Sequence, residues 1–208
     1  MKTIAITGGI ATGKSTVVKR LIELFGVKLT VLFDCDAEAH NLLTKPEIIA
    51  TISEEFGNEV LNPDGGVNRS ALRQIVFEEE SRRLTLEGIL HPQILNSANK
   101  ALLQAASVDE RPELFVLEVP LLYEVDFPVK RDLDVVIAAS KKTQSQRLSE
   151  NRNLDQATIE SLLNSQLPIS DKIENADVVI WNDGSSSELE FQTNLLSETL
   201  KAENLLPS

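Results

Sequence analysis

Short apolar runs alternate along this chain with longer stretches in which apolar residues return every three or four positions. Ile4-Ala5-Ile6 has the length and composition of a buried strand, and a helical pattern follows from Lys14 through Phe25. Lys28 to Phe33 is β-branched and apolar and predicts a second buried parallel strand, ending at Asp34-Cys35-Asp36. From Ala37 to about Glu110 the pattern is helical. Ile48, Ile49, Ile52 and Phe56 make one apolar stripe, and Leu72, Ile75, Val76, Leu84, Leu86, Ile89 and Leu90 make another. Asn62-Pro63-Asp64-Gly65-Gly66 reads as a turn inside this block, and Arg111-Pro112 closes it. Leu114–Val119 and Asp134–Ala139 predict a third and a fourth strand, joined by the polar, proline-containing connection 123–132. Lys141 to about Gln166 is helical and polar with a break near Asn151-Arg152-Asn153. Asp177–Trp181 predicts a last strand, and Ser187–Leu200 a closing helix.

Strands alternating with helices predict an α/β fold with a doubly wound parallel sheet. The expected organisation is a single domain, with a core from 1–36, 112–140 and 176–208. A helical insertion spans about 37–111, suited to holding an acceptor substrate. A helical, arginine-bearing lid spans about 141–175.

Composition narrows the partners. The chain has 208 residues, with 32 acidic against 20 basic side chains and a net charge of -12, and no block of Lys or Arg marks a groove for a nucleic-acid backbone. Its positive groups must therefore act locally. Cys35 is the only cysteine, which excludes an internal disulfide and fits a reducing compartment. The chain has no apolar run of membrane length and enters a strand at once, so the expectation is a cytoplasmic protein that binds neither membrane nor nucleic acid, with a monomer favoured.

The chemistry centres on Gly8-Gly9-Ile10-Ala11-Thr12-Gly13-Lys14-Ser15, which reads G-x-x-x-x-G-K-S between a strand and a helix. Gly8, Gly9 and Gly13 allow the sharp turn that aims successive amides inward, and the helix beginning at Lys14 adds a partial positive charge. Lys14 is expected to reach the β- and γ-phosphates of a nucleotide, and Ser15 to ligate the magnesium ion that bridges them. The fold class is therefore of the P-loop NTPase type, with ATP as phosphoryl donor and Mg2+ as its companion. GTPases need N-K-x-D for guanine selection, which the chain lacks. Motors and transporters usually run longer. The small size, insertion and lid favour a kinase acting on a small molecule.

Such an enzyme needs a carboxylate near the acceptor hydroxyl. Asp34 and Asp36 lie at the carboxyl end of a strand, where ligands bind in open α/β sheets, and they point the same way if the extended run persists through Asp36. Alternatively, Asp36 caps a helix beginning near Ala37. Glu118, ending the third strand, is placed either as a carboxylate near the metal or as a solvated loop residue.

With these residues in view, the sequence resembles the dephospho-coenzyme A kinase family over nearly its whole length. The resemblance runs through the loop with Thr16, through Asp34, Asp36 and Ala39, and through Asn68-Arg69 with Leu72, Val76 and Phe77. It continues through Leu86-Glu87 with His91-Pro92, Val119-Pro120-Leu121-Leu122 with Glu124, Gln146-Arg147-Leu148, Gln166 with Pro168, Ala176-Asp177 and Asn182. It implies ATP-dependent phosphorylation of the ribose 3'-hydroxyl of dephospho-coenzyme A, the last step of coenzyme A synthesis. It also implies a catalytic role for Asp36 beside Lys14, and a place for Arg147 on the transferring phosphates. Gly8, Gly9, Ala11, Thr12, Gly13, Lys14, Ser15, Thr16, Arg147 and Asn182 would bind the nucleotide, with Asn182 beside its base. Asp34, Asp36, His91, Pro120 and Leu121 would bind the acceptor, although His91 also reads as a helix-start residue that packs and caps. Ala11 and Thr12 stand where the family commonly has Gly and Ser, and Ala11 fits the loop if its φ is negative. Asn151 replaces a frequent lid arginine, leaving Arg152 beside it, and Glu118 replaces a frequent Asp.

Overall fold

The computed structural model describes residues 1–152 and 154–204. Five strands, β1 (Lys2–Gly8), β2 (Thr30–Asp34), β3 (Leu114–Glu118), β4 (Leu133–Ala138) and β5 (Val178–Trp181), form one sheet in the order β2-β3-β1-β4-β5, and every pairing is parallel. The central strands β1, β3 and β4 are apolar and buried because both faces are covered, which is why their sequences run nearly continuous rather than alternating. Residues two apart share a face. Ile4 and Ile6, Leu114 and Val116, and Val135 and Ile137 pack in one cluster with Val17, Val18 and Leu21 of α1 (Lys14–Phe25) and Leu189, Leu196 and Leu200 of α9 (Ser186–Asn204). This packing anchors α1, and with it the loop that precedes it.

Carboxylates extend the ladder beyond the ends of two strands. The Thr3 amide donates to Asp132 Oδ2, and the Asp134 amide to Asp177 Oδ2, both at 2.7 Å. A short 3-10 turn, Val27–Leu29, occupies the start of the predicted second strand, so β2 begins at Thr30. The expectation that this strand is buried is corrected as well. It forms an edge of the sheet, its residues are half-buried, and Leu32 is 40% exposed.

The chain divides into two compact units, residues 1–34 with 101–208, and residues 35–100. The second unit is helical, with α2 (Cys35–Leu42), α3 (Pro46–Phe56), α4 (Arg69–Glu78) and the first part of α5 (Glu80–Ser107). Ile48, Ile52 and Phe56 are the buried stripe of α3, and Asn68 caps α4 by accepting from the Ala71 amide. The predicted Asn62–Gly66 turn is closed by the Asn62 amide donating to the Gly66 carbonyl at 2.8 Å, next to an antiparallel bridge between Leu61 and Val67. In the first unit, the polar segment after β4 forms α6 (Lys141–Arg152), α7 (Gln156–Asn164) and α8 (Ile169–Glu174). Among the described residues no helix is long and apolar enough to cross a membrane.

Candidate functional site

The loop between β1 and α1 lies at the carboxyl edge of the sheet. Gly13 has a φ of 100, and a side chain there would meet the Asn182 amide nitrogen at 2.5 Å, so both conformation and space demand glycine. Ala11 departs from expectation. Its φ is 57, in the left-handed region, not the negative value an alanine favours. Thr12 is fully buried and its hydroxyl donates to the Gly9 carbonyl at 2.9 Å, so its side chain shapes the loop from within. Lys14 Nζ donates to the carbonyls of Gly8 and Gly9 at 3.2 and 2.9 Å, folding over the loop it serves.

Three strand ends complete this edge. Asp34 is the register partner of Glu118, which pairs on its other side with Ile6, just before the loop. Ser15 Oγ donates to Glu118 Oε1 at 3.0 Å, and Glu118 is only 8% exposed. The solvated alternative for Glu118 is therefore excluded. A hydroxyl and a carboxylate held together beside a phosphate loop are hard oxygen donors of the kind Mg2+ takes, so the residues present fit that ion. Thr7 Oγ1 and Lys172 Nζ both donate to the Pro120 carbonyl, at 3.3 and 3.0 Å, which holds the Pro120-Leu121 turn at the end of β3.

Arg147, on α6, donates from Nη1 to the carbonyls of Ala11 and Thr12 at 3.2 and 3.5 Å, and from Nη2 to that of Asn182 at 2.9 Å. Its guanidinium thus joins the loop to the end of β5. Asn182, 6% exposed, adds a bond from Nδ2 to the Thr12 carbonyl at 2.8 Å. Arg147 and Asn182 line a cavity of about 460 Å³ with Ala11, Gly13 and Thr16, open enough for a nucleotide base and sugar. Next to Asn182, the Asp183 carboxylate accepts from the Ser140 amide at 2.7 Å and so ties β5 to the end of β4. Slight burial pushes Asp183 upward, but the Ser140 amide and the hydroxyls of Thr143 and Ser140 outweigh it and hold the carboxyl below its usual range. Arg152 ends α6, and its side chain, like all of Asn153, lies outside the described residues.

The helical unit carries the other candidates. The extended run does not persist through Asp36: β2 stops at Asp34 and α2 begins at Cys35. Strand alternation therefore does not pair the two aspartates, and Asp36 is no cap of a helix starting at Ala37. It stands in the first turn of α2, exposed, where a carboxylate complements the helix dipole. His91 and Pro92 lie inside the 28-residue α5, so the helix-start reading of His91 is corrected too.

A family model described as dephospho-CoA kinase matches residues 2–188. The chain belongs to the dephospho-CoA kinase family. It is accordingly a phosphotransferase of coenzyme A synthesis, whose reaction moves the γ-phosphoryl group of ATP onto the ribose 3'-hydroxyl of dephospho-coenzyme A. It is 36% identical over 183 residues to the dephospho-CoA kinase of Bacillus thuringiensis subsp. konkukian, covering 88% of each chain. To that of Fusobacterium nucleatum it is 32% identical over 197 residues, covering 95% and 97%. Among solved structures it is similar to TT1252 from Thermus thermophilus, with a TM-score of 0.74, 28% identity and coverage of 95% and 97%. A shikimate kinase from Acinetobacter baumannii shares the fold at a TM-score of 0.54 and 19% identity, covering 99% and 96%.

The sequence of this chain shows the loop, but not everything that braces it. Gln144 has no signal in the pattern, since a polar residue on a polar helix gives no sign of burial, yet it is 5% exposed against the loop. The partly exposed Glu124 and the fully buried Lys172 form an ion pair at 2.7 Å that the matching Glu124 alone does not announce.

Proposed function

We propose that this chain transfers the γ-phosphoryl group of ATP to dephospho-coenzyme A with its loop, its strand-end carboxylates and Asp36 in distinct roles. The amides of the loop and the start of α1 bind the phosphates, and Lys14 swings from the Gly8 and Gly9 carbonyls to the β- and γ-phosphates. Ser15, with Glu118 behind it, would hold Mg2+, which supplies charge neutralisation at the phosphates when bound. Asn182 borders the base of the donor, and Arg147, which also braces the loop, serves the transferring phosphates.

Acceptor binding is assigned to the helical unit, with Asp36 and His91, and to Asp34, Pro120 and Leu121. Asp36 orients the ribose 3'-hydroxyl and accepts its proton as the new O–P bond forms and the bond from Pγ to the bridging oxygen breaks. ADP leaves with that bridging oxygen, and the proton passes to solvent from the carboxylate. The setting is cytoplasmic, in keeping with Cys35 being the chain's only cysteine, so that no internal disulfide can form.

The observation that carries this reading is the junction of loop and strand end, where Ser15 at the start of α1 donates to the buried Glu118. An acceptor panel tests it. With ATP and magnesium, ADP should be released far faster with dephospho-coenzyme A than with nucleoside monophosphates. Faster turnover of a nucleoside monophosphate would move the chain to another acceptor class.

A further inference from the structure

Ile10 in the phosphate loop is gripped at both its backbone polar atoms by glutamines 134 and 156 residues away in sequence. Gln144 Nε2, on α6, donates to the Ile10 carbonyl at 3.0 Å. Gln166 Oε1, in the connection between α7 and α8, accepts from the Ile10 amide at 2.9 Å. Gln144 is 5% exposed, and it packs so closely that a side chain on Gly9 would meet its amide nitrogen at 2.3 Å. The next residue is Ala11 at φ 57. An L-residue in such a conformation is strained and persists only where its surroundings over-determine it.

The clasp has its own support. The Leu167 amide donates to Glu124 Oε1 at 3.1 Å, and the same oxygen takes the fully buried Lys172 ammonium at 2.7 Å. Gln166 is therefore presented to the loop from a segment that is already tied down behind β3, while Gln144 comes from the first turns of α6.

We propose that Gln144 and Gln166 are positioning residues for phosphoryl transfer, acting through the loop rather than on either substrate. By holding the peptides on both sides of Ile10 they maintain the left-handed turn at Ala11, and with it the aim of the amides that follow toward the phosphates. The clasp spans both ends of the α6–α7 segment, so the phosphate loop is in register only when that segment is seated.

A carbonyl needs a donor and an amide needs an acceptor, so the two glutamines present opposite ends of their side chains. This asymmetry sets the test. Gln166→Glu keeps an acceptor oxygen, whereas Gln144→Glu sets an oxygen against the Ile10 carbonyl. Both variants put the same charge beside the same residue, so the difference between them reports on the hydrogen bond. The measurements are kcat and KM for ATP and for dephospho-coenzyme A, with calorimetric ADP binding, on these variants and on Gln144→Leu and Gln166→Leu.

Gln144→Glu and both leucine variants should raise KM for ATP, weaken ADP binding and lower kcat by about tenfold or more, the scale of a small misplacement in the site. KM for dephospho-coenzyme A should stay unchanged, and Gln166→Glu should outperform Gln144→Glu by about tenfold in kcat/KM. Equal activity of the two glutamate variants overturns the proposal, as does a folded Gln166→Leu enzyme with wild-type ADP affinity. A loss that only tracks the melting temperature also overturns it. The inference rests on the phosphoryl transfer proposed above, but ADP binding decides the clasp even if the acceptor proves to be another molecule.

Discussion

Lys14 spends its ammonium on two loop carbonyls, which keeps it within the loop but leaves it exchangeable for stronger, charged acceptors when phosphates arrive. Lys14→Ala removes that charge from a partly exposed position and leaves the core under α1 intact, so the protein should fold and lose transfer by orders of magnitude. Near-normal turnover in a folded Lys14→Ala protein would take the loop out of the mechanism. Asp36 poses the complementary case. Because it stands in the first turn of α2, its charge contributes to helix stability as well as to the proposed chemistry. Asp36→Asn preserves shape, should cost only about 0.3–1 kcal/mol as a lost dipole contact, and should lower kcat by about 10²-fold or more. Stability by urea titration and kcat on the same preparation separate the two roles, and an unchanged kcat leaves Asp36 with the helix alone.

Between elements, the contacts that matter here join distant stretches of chain. Arg147 ties α6 to the loop and to the end of β5 through three carbonyls, whereas Arg152 is the last residue of that helix. Arg147→Ala should therefore cost more in kcat than Arg152→Ala and should also raise KM for ATP. If Arg152→Ala proves the more damaging in steady-state kinetics, the two roles must be exchanged. Lys172 of α8 pairs with Glu124, whose Oε2 is buried with no hydrogen-bond partner among the described residues. Lys172→Ala strands that carboxylate and should destabilise the fold by about 3–5 kcal/mol, whereas Lys172→Ala with Glu124→Leu should recover much of the loss in denaturant titrations. If the double variant is no more stable than the single, the pair is not what holds α8.

Across the molecule, local signals made the sheet readable. The apolar runs and the glycine-lysine motif specify β1, the loop and α1, because strand length, turn chemistry and helix period all agree there. The errors came where tertiary context decides. Edge position exposed β2, and the helix starting at Cys35 broke the alternation that would have paired Asp34 with Asp36. The left-handed Ala11, the burial of Gln144 and the Glu124–Lys172 pair depend on partners more than 40 residues away, which no local pattern encodes.

Three carboxyls held below their usual values tie element ends. They are Asp155 through the Thr158 amide and hydroxyl, Asp183 through Ser140 against slight burial, and Glu188 through the Ser185 amide and hydroxyl. Depressed carboxyls stabilise the fold above their unfolded pKa and lose that contribution as pH falls through the folded value. Stability should thus decline below about pH 4, and the decline should be shallower in Asp183→Asn than in the wild type when urea midpoints are followed from pH 6 to 3.

In the proposed reaction the loop, with Ser15 and Glu118, delivers a γ-phosphoryl group to one hydroxyl of one acceptor. Its most direct measurement is the position of the phosphate in the product formed from ATP, magnesium and dephospho-coenzyme A, read by phosphorus NMR of the purified compound. A single new monoester on the ribose 3'-oxygen is expected, formed in equal amount to ADP. ADP without a phosphorylated acceptor, or a phosphate on any other oxygen, would contradict it.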